Sequence, residues 1–410
     1  MFKLSILFLF SLFSIIGHTN EVVEVTKQIT SLVISQFKNK IITSSSSLSD
    51  VEDNLKKLHF NKGFKVKVYA LAPGARSMAL SLDGTLFVGT GGLGGAYNRV
   101  YAIRDLNQDG VADDVKIIAD GLNVPNGVAF KDGDLYVAEL SRILRYRNIE
   151  KNLAHAKAEV FYSGLPKDSH HGWKYIRFAP DGSLIVPQGA PCNACEVDNN
   201  HASIFKISSD GKKISTVAKG VRNTVGFDFN PKNGDMIFSD NGRDMLGDNI
   251  PPCEINKIPA KNWQESNPLH YGFPFCHSDN IKDPIFSEKI AGKKSCEEFT
   301  KPILNLGAHV APLGVKFYTG SMFPAEYKNQ ILIAEHGSWN RSVPQGYRVS
   351  MAWTEDGGHS YKYKIFIEGW LTKEGNKWGR PVDLAVMSDG SLLISDDESG
   401  VIYRVTYSPI

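Results

Sequence analysis

Three polar segments stand at matching places along this chain, and each carries a side chain suited to moving a proton or holding an anion. Asp168-Ser169-His170-His171-Gly172-Trp173-Lys174 brings imidazoles that titrate close to neutral pH and can take a proton from a hydroxyl. Successive side chains of an extended segment point to opposite faces, so at most one of His170 and His171 is expected to face a site. A structural histidine is the alternative. Val221-Arg222-Asn223-Thr224 supplies a guanidinium able to clamp a carboxylate or an oxyanion, with an amide beside it to fix orientation. Its plainer reading is a surface arginine followed by an asparagine turn. Arg380, just before Pro381, holds the same relative place.

Two further segments widen the chemistry. Asp240-Asn241-Gly242-Arg243-Asp244 contains a glycine that lets the backbone approach a ligand, and carbonyl oxygens of such a turn suit a hard cation. Glu335-His336-Gly337-Ser338-Trp339-Asn340-Arg341 offers a carboxylate, an imidazole, a guanidinium and an indole that can stack on a planar ring or simply pack between elements. Asp105, Asn107, Asp109 and Gly110 open like a calcium loop, but the twelfth position is Lys116 where an EF-hand needs glutamate, so a polar turn is expected. The chain has no Walker phosphate loop, no HExxH helix and no GxGxxG leading from a strand into a helix, which argues against direct nucleotide binding.

The elements that must position these residues repeat one pattern: an apolar strand, a tight turn and a second apolar strand ending in a polar rim. The repeats span 76–90, 125–139, 175–188, 224–240, 312–335 and 381–396. Their turns are Asp83-Gly84, Asp132-Gly133, Asp181-Gly182, Asn233-Gly234, Lys328-Asn329 and Asp389-Gly390. Hairpins recurring at roughly fifty-residue spacing build a closed propeller, in which radial closure leaves only short, protected strand edges. The expected fold is all-β, a six-bladed β-propeller. The second strands end in Glu139, Gln188, Asp240, Glu335 with His336, and Asp396 with Asp397, a largely acidic set that reads as a candidate hub. The interval from 241 to about 311 reads as a long insertion, because Pro251, Pro252, Pro259, Pro268, Pro274 and Pro302 oppose regular structure.

The propeller is expected over 61–410, preceded by an N-terminal extension and linker over 21–60 with a serine run at 44–47. Lys3 followed by an apolar run over 4–16 has the layout of a signal peptide over 1–20, which predicts a secreted or periplasmic protein with no stable membrane insertion after cleavage. A net charge of +2 over 410 residues offers no basic stripe for nucleic acid. Five cysteines leave at least one thiol unpaired. Cys192-Asn193-Ala194-Cys195 reads as a loop-pinning disulfide, and Cys276 and Cys296 bracket a polar stretch that they can staple, although spacing alone fixes no pairing.

Taken together, these motifs carry a resemblance. Ala75-Arg76-Ser77-Met78-Ala79-Leu80, His170-His171-Gly172-Trp173-Lys174 leading to Phe178-Ala179-Pro180-Asp181-Gly182, Cys192-Asn193-Ala194-Cys195 and His336-Gly337-Ser338-Trp339-Asn340-Arg341 resemble the soluble glucose and sorbosone dehydrogenase family, closest to its L-sorbosone dehydrogenase-like branch. Those proteins are six-bladed propellers carrying pyrroloquinoline quinone (PQQ). The resemblance implies oxidation of an aldose, sorbosone or related aldehyde, with hydride transfer to the quinone and electrons passed to an external acceptor. It implies His171 as general base, Arg222 and Asn223 as a cofactor-binding pair, and Arg380 as a ligand of the cofactor carboxylates. Arg222 is also implied to stabilise the reduced quinone oxygens. Main-chain carbonyls of Asn241, Gly242 and Arg243 are implied to hold Ca2+.

Three positions depart from the family pattern: Val382 stands where a second arginine is expected, His336 near an expected lysine, and no glutamine lies beside Arg76. Arg76, Arg243 or Arg341 then has to supply the missing positive charge. Two other functions fit the same scaffold: a calcium-dependent lactonase or other hydrolase, and a non-enzymatic extracellular binding propeller.

Overall fold

Each predicted turn closes a hairpin. In the computed structural model, which describes residues 48–91, 97–290, 295–354 and 361–409, Lys131 pairs with Asp134 across a two-residue turn. Asp132 and Gly133 there have φ of 52° and 84°, the mirror-image turn whose twist suits flanking strands. Asn329 takes the left-handed role at the glycine-free turn, with φ 61°. The signal peptide expected over 1–20 and most of the linker lie outside the described residues.

The hairpins extend into six antiparallel sheets, as an all-β, six-bladed β-propeller requires. The inner strands are Ala75–Leu80, Gly127–Lys131, Arg177–Phe178, Phe227–Phe229, Pro312–Phe317 and Pro381–Val386. The second strands, Leu86–Thr90, Asp134–Ala138, Leu184–Gln188, Met236–Asp240, Ile331–Glu335 and Leu392–Asp396, are buried at every residue. Each is covered on both faces by neighbouring blades, which is why it reads as a run of apolar residues rather than an alternation. The core is therefore a ring of inter-blade clusters.

The ring closes with a strand from the other end of the sequence. Phe64–Leu71 pairs antiparallel with Val401–Tyr407 and forms the outer edge of blade six. Phe64 sits among Phe323, Tyr327, Phe366 and Tyr407, with ring centroids 4.9–5.2 Å away. Before this strand, the short strand His59–Phe60 pairs with the outer strand of blade five, and the helix Leu48–Leu55 packs against Phe64–Leu71.

The interval 241–311 is not one irregular insertion. It contains the third and fourth strands of blade four, Pro252–Ile258 and Leu304–Ala308. Pro252 is tolerated because it is the first residue of its strand. Between them, Ala260–Glu265 is helical, Leu269–His270 adds in parallel to blade three, and Cys276–His277 pairs with Ile281–Lys282. Disulfides join Cys192 to Cys195 and Cys276 to Cys296, and Cys253 is a buried free thiol.

Candidate active site

The acidic ends of the second strands serve the fold before they serve any ligand. Asp240, 6% exposed, accepts the backbone N–H groups of Arg222 at 3.0 Å and Asn223 at 2.7 Å. Asp396 accepts the N–H of Arg380 at 2.9 Å, and Glu139 that of Asn123 at 2.6 Å. Glu335 is bonded to Arg348 and Ser350 instead. None of these four lines the axial cavity; of the expected hub, His336 and Asp397 do, and the four acids are pins for the segments that form it. Burial pushes the Asp240 and Asp396 carboxyls up to about 6.

A cavity of about 460 Å³ opens at the end of the axis where the inner strands begin. Arg76, His171, Asn223 and Arg380, from blades one, three, four and six, all line it. Both histidines of the His170-His171 pair do so, against the expectation that only one would. The segment is not extended: His171 has φ 50°, and the two rings lie 4.0 Å apart. His171 Nδ1 is 2.9 Å from the carbonyl oxygen of Ala190. A carbonyl only accepts, so Nδ1 carries the hydrogen and Nε2 keeps its lone pair. Burial, then the charge of Arg222 and neighbouring His170, hold this imidazole far below its usual range, so it is neutral and unprotonated at working pH.

Arg76 is 4% exposed and stacks 4.5 Å above the ring of Trp173, two residues beyond His171. Its Nε donates to Asn126 Oδ1 at 2.6 Å, its Nη1 to Asp397, and Asn126 in turn donates to the Lys174 carbonyl at 2.8 Å. Asp397 also accepts from His336 Nε2 at 2.8 Å. Burial alone raises the Asp397 carboxyl, but His336 and Arg76 together outweigh it and hold it well below the usual range. Burial pushes His336 down to about 4 despite this partner, so the charges are those of Arg76 and Asp397 with a neutral imidazole beside them. Arg380 donates from Nε to the His336 carbonyl at 3.0 Å and from Nη2 to the Gly337 carbonyl at 2.9 Å.

Arg222 sits behind the histidines rather than in the cavity lining. Its guanidinium bonds Asn193 O and Asn193 Oδ1 at 2.8 Å, Asp244 Oδ2 at 3.0 Å and Asn241 O at 3.1 Å, tying the disulfide loop to the 241–244 turn. Asn241 donates from Nδ2 to the Asn223 and Pro312 carbonyls. Thus His171, Arg222, Asn223 and Asn241 are neighbours. Arg243 points its side chain to Asp283, which His277 also bonds, and Arg341 donates to the Asp248 carbonyl; neither lines the cavity. Trp339 is 67% exposed and is also outside the lining.

Asn126 and Trp173 are site residues that residue type alone did not single out, whereas Asp397 and His336, expected in the polar hub, do line the cavity. The signal for Asn126 was positional, since it precedes Gly127 at the start of an inner strand, as Arg380 precedes Pro381. Among the described residues, no group of three or more His, Cys, Asp and Glu side chains is arranged to hold a metal.

Comparison with known proteins agrees with this architecture. An uncharacterized protein of Borreliella burgdorferi is 36% identical over 398 residues, covering 92% of this chain and all of that one. A pyrroloquinoline quinone-dependent pyranose dehydrogenase of Coprinopsis cinerea is 28% identical over 174 residues, 34% of this chain and 23% of that enzyme. The holo PQQ domain of a Coprinopsis cinerea pyranose dehydrogenase superposes with a TM-score of 0.70 at 18% identity, covering 85% of this chain and 97% of that one. A calcium structure of a Trichoderma reesei AA12 enzyme gives 0.71 at 19% identity, covering 86% and 97%. At such identities the superpositions establish the shared fold. The TrAA12-like family model matches residues 58–408, through all six blades, and the chain belongs to that family.

Proposed function

We propose that this protein is a PQQ-dependent oxidoreductase acting on a sugar or an aldehyde, with an aldose or sorbosone as the substrate. The observation that carries this reading is one cavity lined together by His171, whose Nδ1 is held by the Ala190 carbonyl so that Nε2 keeps its lone pair, and by Arg76 and Arg380. The groups present fit a planar tricarboxylate. Among the described residues, Arg76 Nη2, Arg380 Nη1 and the Asn223 side-chain amide make no hydrogen bond, and Trp173 supplies a flat wall.

Charge adds a condition. Asp397 matches Arg76, Lys377 matches the lining Glu398 at 2.9 Å, and Arg380 makes no ion pair among the described residues. One unmatched guanidinium is too little for three carboxylates, and a divalent cation supplies the remainder. Asn241, Gly242 and Arg243 would hold Ca2+ through main-chain oxygens; Asn241 O already accepts from Arg222, whereas the other two carbonyls accept no hydrogen bond among the described residues.

When bound, PQQ supplies a two-electron acceptor polarised by the cation. The chain supplies the rest. His171 Nε2 takes the hydroxyl proton of the substrate, and the Ala190 carbonyl steadies the imidazolium through Nδ1–H. Arg222 orients the turn and the disulfide loop around that histidine. Arg76, fixed by Asp397 and Asn126, and Arg380, fixed by two carbonyls, bind the anion. We also propose that residues 1–20 direct export, so that turnover delivers electrons to an acceptor outside the cytoplasm.

The test is reconstitution of the protein with PQQ and Ca2+, followed by addition of aldoses and sorbosone. Reduction of bound quinone by one of them, abolished by EDTA, supports the proposal. Failure to bind PQQ together with metal-dependent lactone hydrolysis replaces it by the hydrolase reading, and glycan binding without turnover replaces it by the binding-propeller reading.

A further inference from the structure

The other end of the axis carries a second cavity, of about 420 Å³, beside the hairpin turns. It shares no lining residue with the first. Between the two, neighbouring inner strands press together: a Cβ on Gly127 would collide with the Lys174 carbonyl, and one on Gly226 with the Leu313 carbonyl.

Each blade contributes a half-buried side chain to this far cavity: Leu80, Phe130, Phe178, Phe229, Lys316 and Val386. Five are apolar and one is a lysine. At its polar side, Asp228 is 6% exposed and is the shared partner of Arg177, Nη1 to Oδ1 at 3.0 Å, and of Lys316, Nζ to Oδ2 at 3.2 Å. The Phe317 N–H fills a further acceptor position on Oδ2 at 3.0 Å. Two cations thus converge on one carboxylate whose oxygens are already engaged, and Lys316 has donors to spare. Asp383, the next acid along the axis, accepts from the Met78 N–H at 2.8 Å and does not line the cavity, so two cations and one carboxylate are the charged groups among its lining residues; burial and the charge of Arg177 lower the Lys316 ammonium from its usual range. The ion cluster therefore leaves positive charge beside a ring of side chains of which five in six are apolar. The cavity's size falls within the roughly 300–1,000 Å³ typical of ligand pockets, which are mostly apolar with a few polar anchors.

We infer that this cavity is a second binding site, for a small monoanion with an apolar body, namely a medium-chain carboxylate whose head meets Lys316 and Arg177 and whose chain lies against the ring of Leu80, Phe130, Phe178, Phe229 and Val386. A polyanion is excluded by the single unmatched cation.

Titration calorimetry of the full chain with octanoate tests this, with octanol and acetate as probes of body and charge alone. The expected result is one octanoate site per chain, at least about tenfold tighter than either probe, a difference that one charge-assisted contact supplies. Lys316→Met is expected to abolish the preference for octanoate over octanol. Leu80→Glu leaves the ion cluster intact and puts a carboxylate on the apolar rim; it is expected to weaken octanoate at least about tenfold, and it carries the test if Lys316→Met does not fold. PQQ binding at the other end should be unchanged in Leu80→Glu. Octanoate that binds no better than octanol, or equally well to the wild type and Leu80→Glu, overturns the inference.

Discussion

Replacing Asp397 by asparagine should cost about 3 kcal/mol of folding stability at neutral pH, the low end of what removing one partner of a buried ion pair costs. The figure follows from what remains around Arg76. Arg76 and Asp397 side chains are 4% and 15% exposed, so neither is rescued by solvent. The asparagine oxygen can still accept from His336 Nε2, but its amide presents hydrogens where Arg76 needs an acceptor. Arg76 is then left with Asn126 and the Trp173 face. Arg76→Met alone strands Asp397 with His336, and the double variant removes both charges. Urea unfolding of the four proteins at pH 7 is expected to show the double variant about 2–3 kcal/mol more stable than the sum of the singles. The pH dependence has a definite sign. The folded-state carboxyl of Asp397 is held below its ordinary range, so its contribution is present above about pH 4 and is lost as pH falls through the lower folded value. Additivity within about 0.5 kcal/mol, or an Asp397→Asn penalty that grows on acidification, refutes the pairing.

Three other outcomes follow from the same geometry. His171→Gln is expected to lower turnover roughly 10²–10⁴-fold while PQQ-dependent absorbance is retained; a loss below about tenfold removes His171 as the base. Phe64→Ala, at the strand that closes the ring, should cost about 3–5 kcal/mol in thermal or urea unfolding, and a loss under about 1 kcal/mol contradicts closure by that strand. His201 bonds Asp168 at 2.9 Å and Asp198 at 2.7 Å. Burial opposes its protonation, but the two carboxylates outweigh burial and raise its pKa. This clamp on the His170-His171 segment is complete below the ordinary imidazole range and is lost as pH rises through the raised value. Amide exchange across 168–172, corrected for intrinsic rates, should accelerate from about pH 6 to about pH 9 in the wild type and lose that dependence in His201→Leu. The same pH dependence in both proteins contradicts it.

The hairpins were legible because their turns carry Asp-Gly and Asn-Gly pairs and their second strands are apolar throughout, two signals that need no tertiary context. Closure was half legible: the alternation in Phe64–Leu71 marks a strand, whereas its partner is more than three hundred residues away and no local pattern names it. The outer strands of blade four were hidden because Pro251 and Pro252 stand at the entrance of one and Asn305 and Gly307 interrupt the other. In the site, His171, Asn223 and Arg380 were placed by equivalence among blades and Arg76 as a substitute for the positive charge that the family resemblance found missing, and the four line one cavity. What residue types do not encode is orientation. The left-handed backbone at His171 is held from outside its own segment, by the Ala190 carbonyl and the close approach of Gly189, and it turns both histidines inward. The rim acids were visible as charges, but whether a carboxylate faces a ligand or a backbone N–H depends on turns that only the packed blades define.

A crystal structure of the protein soaked with PQQ and Ca2+ measures the central claim most directly. The account predicts quinone density in the cavity between Trp173 and His171, with carboxylates on Arg76 and Arg380 and the cation beside the 241–243 turn. Quinone density elsewhere, with that cavity holding only solvent at saturating PQQ, contradicts it.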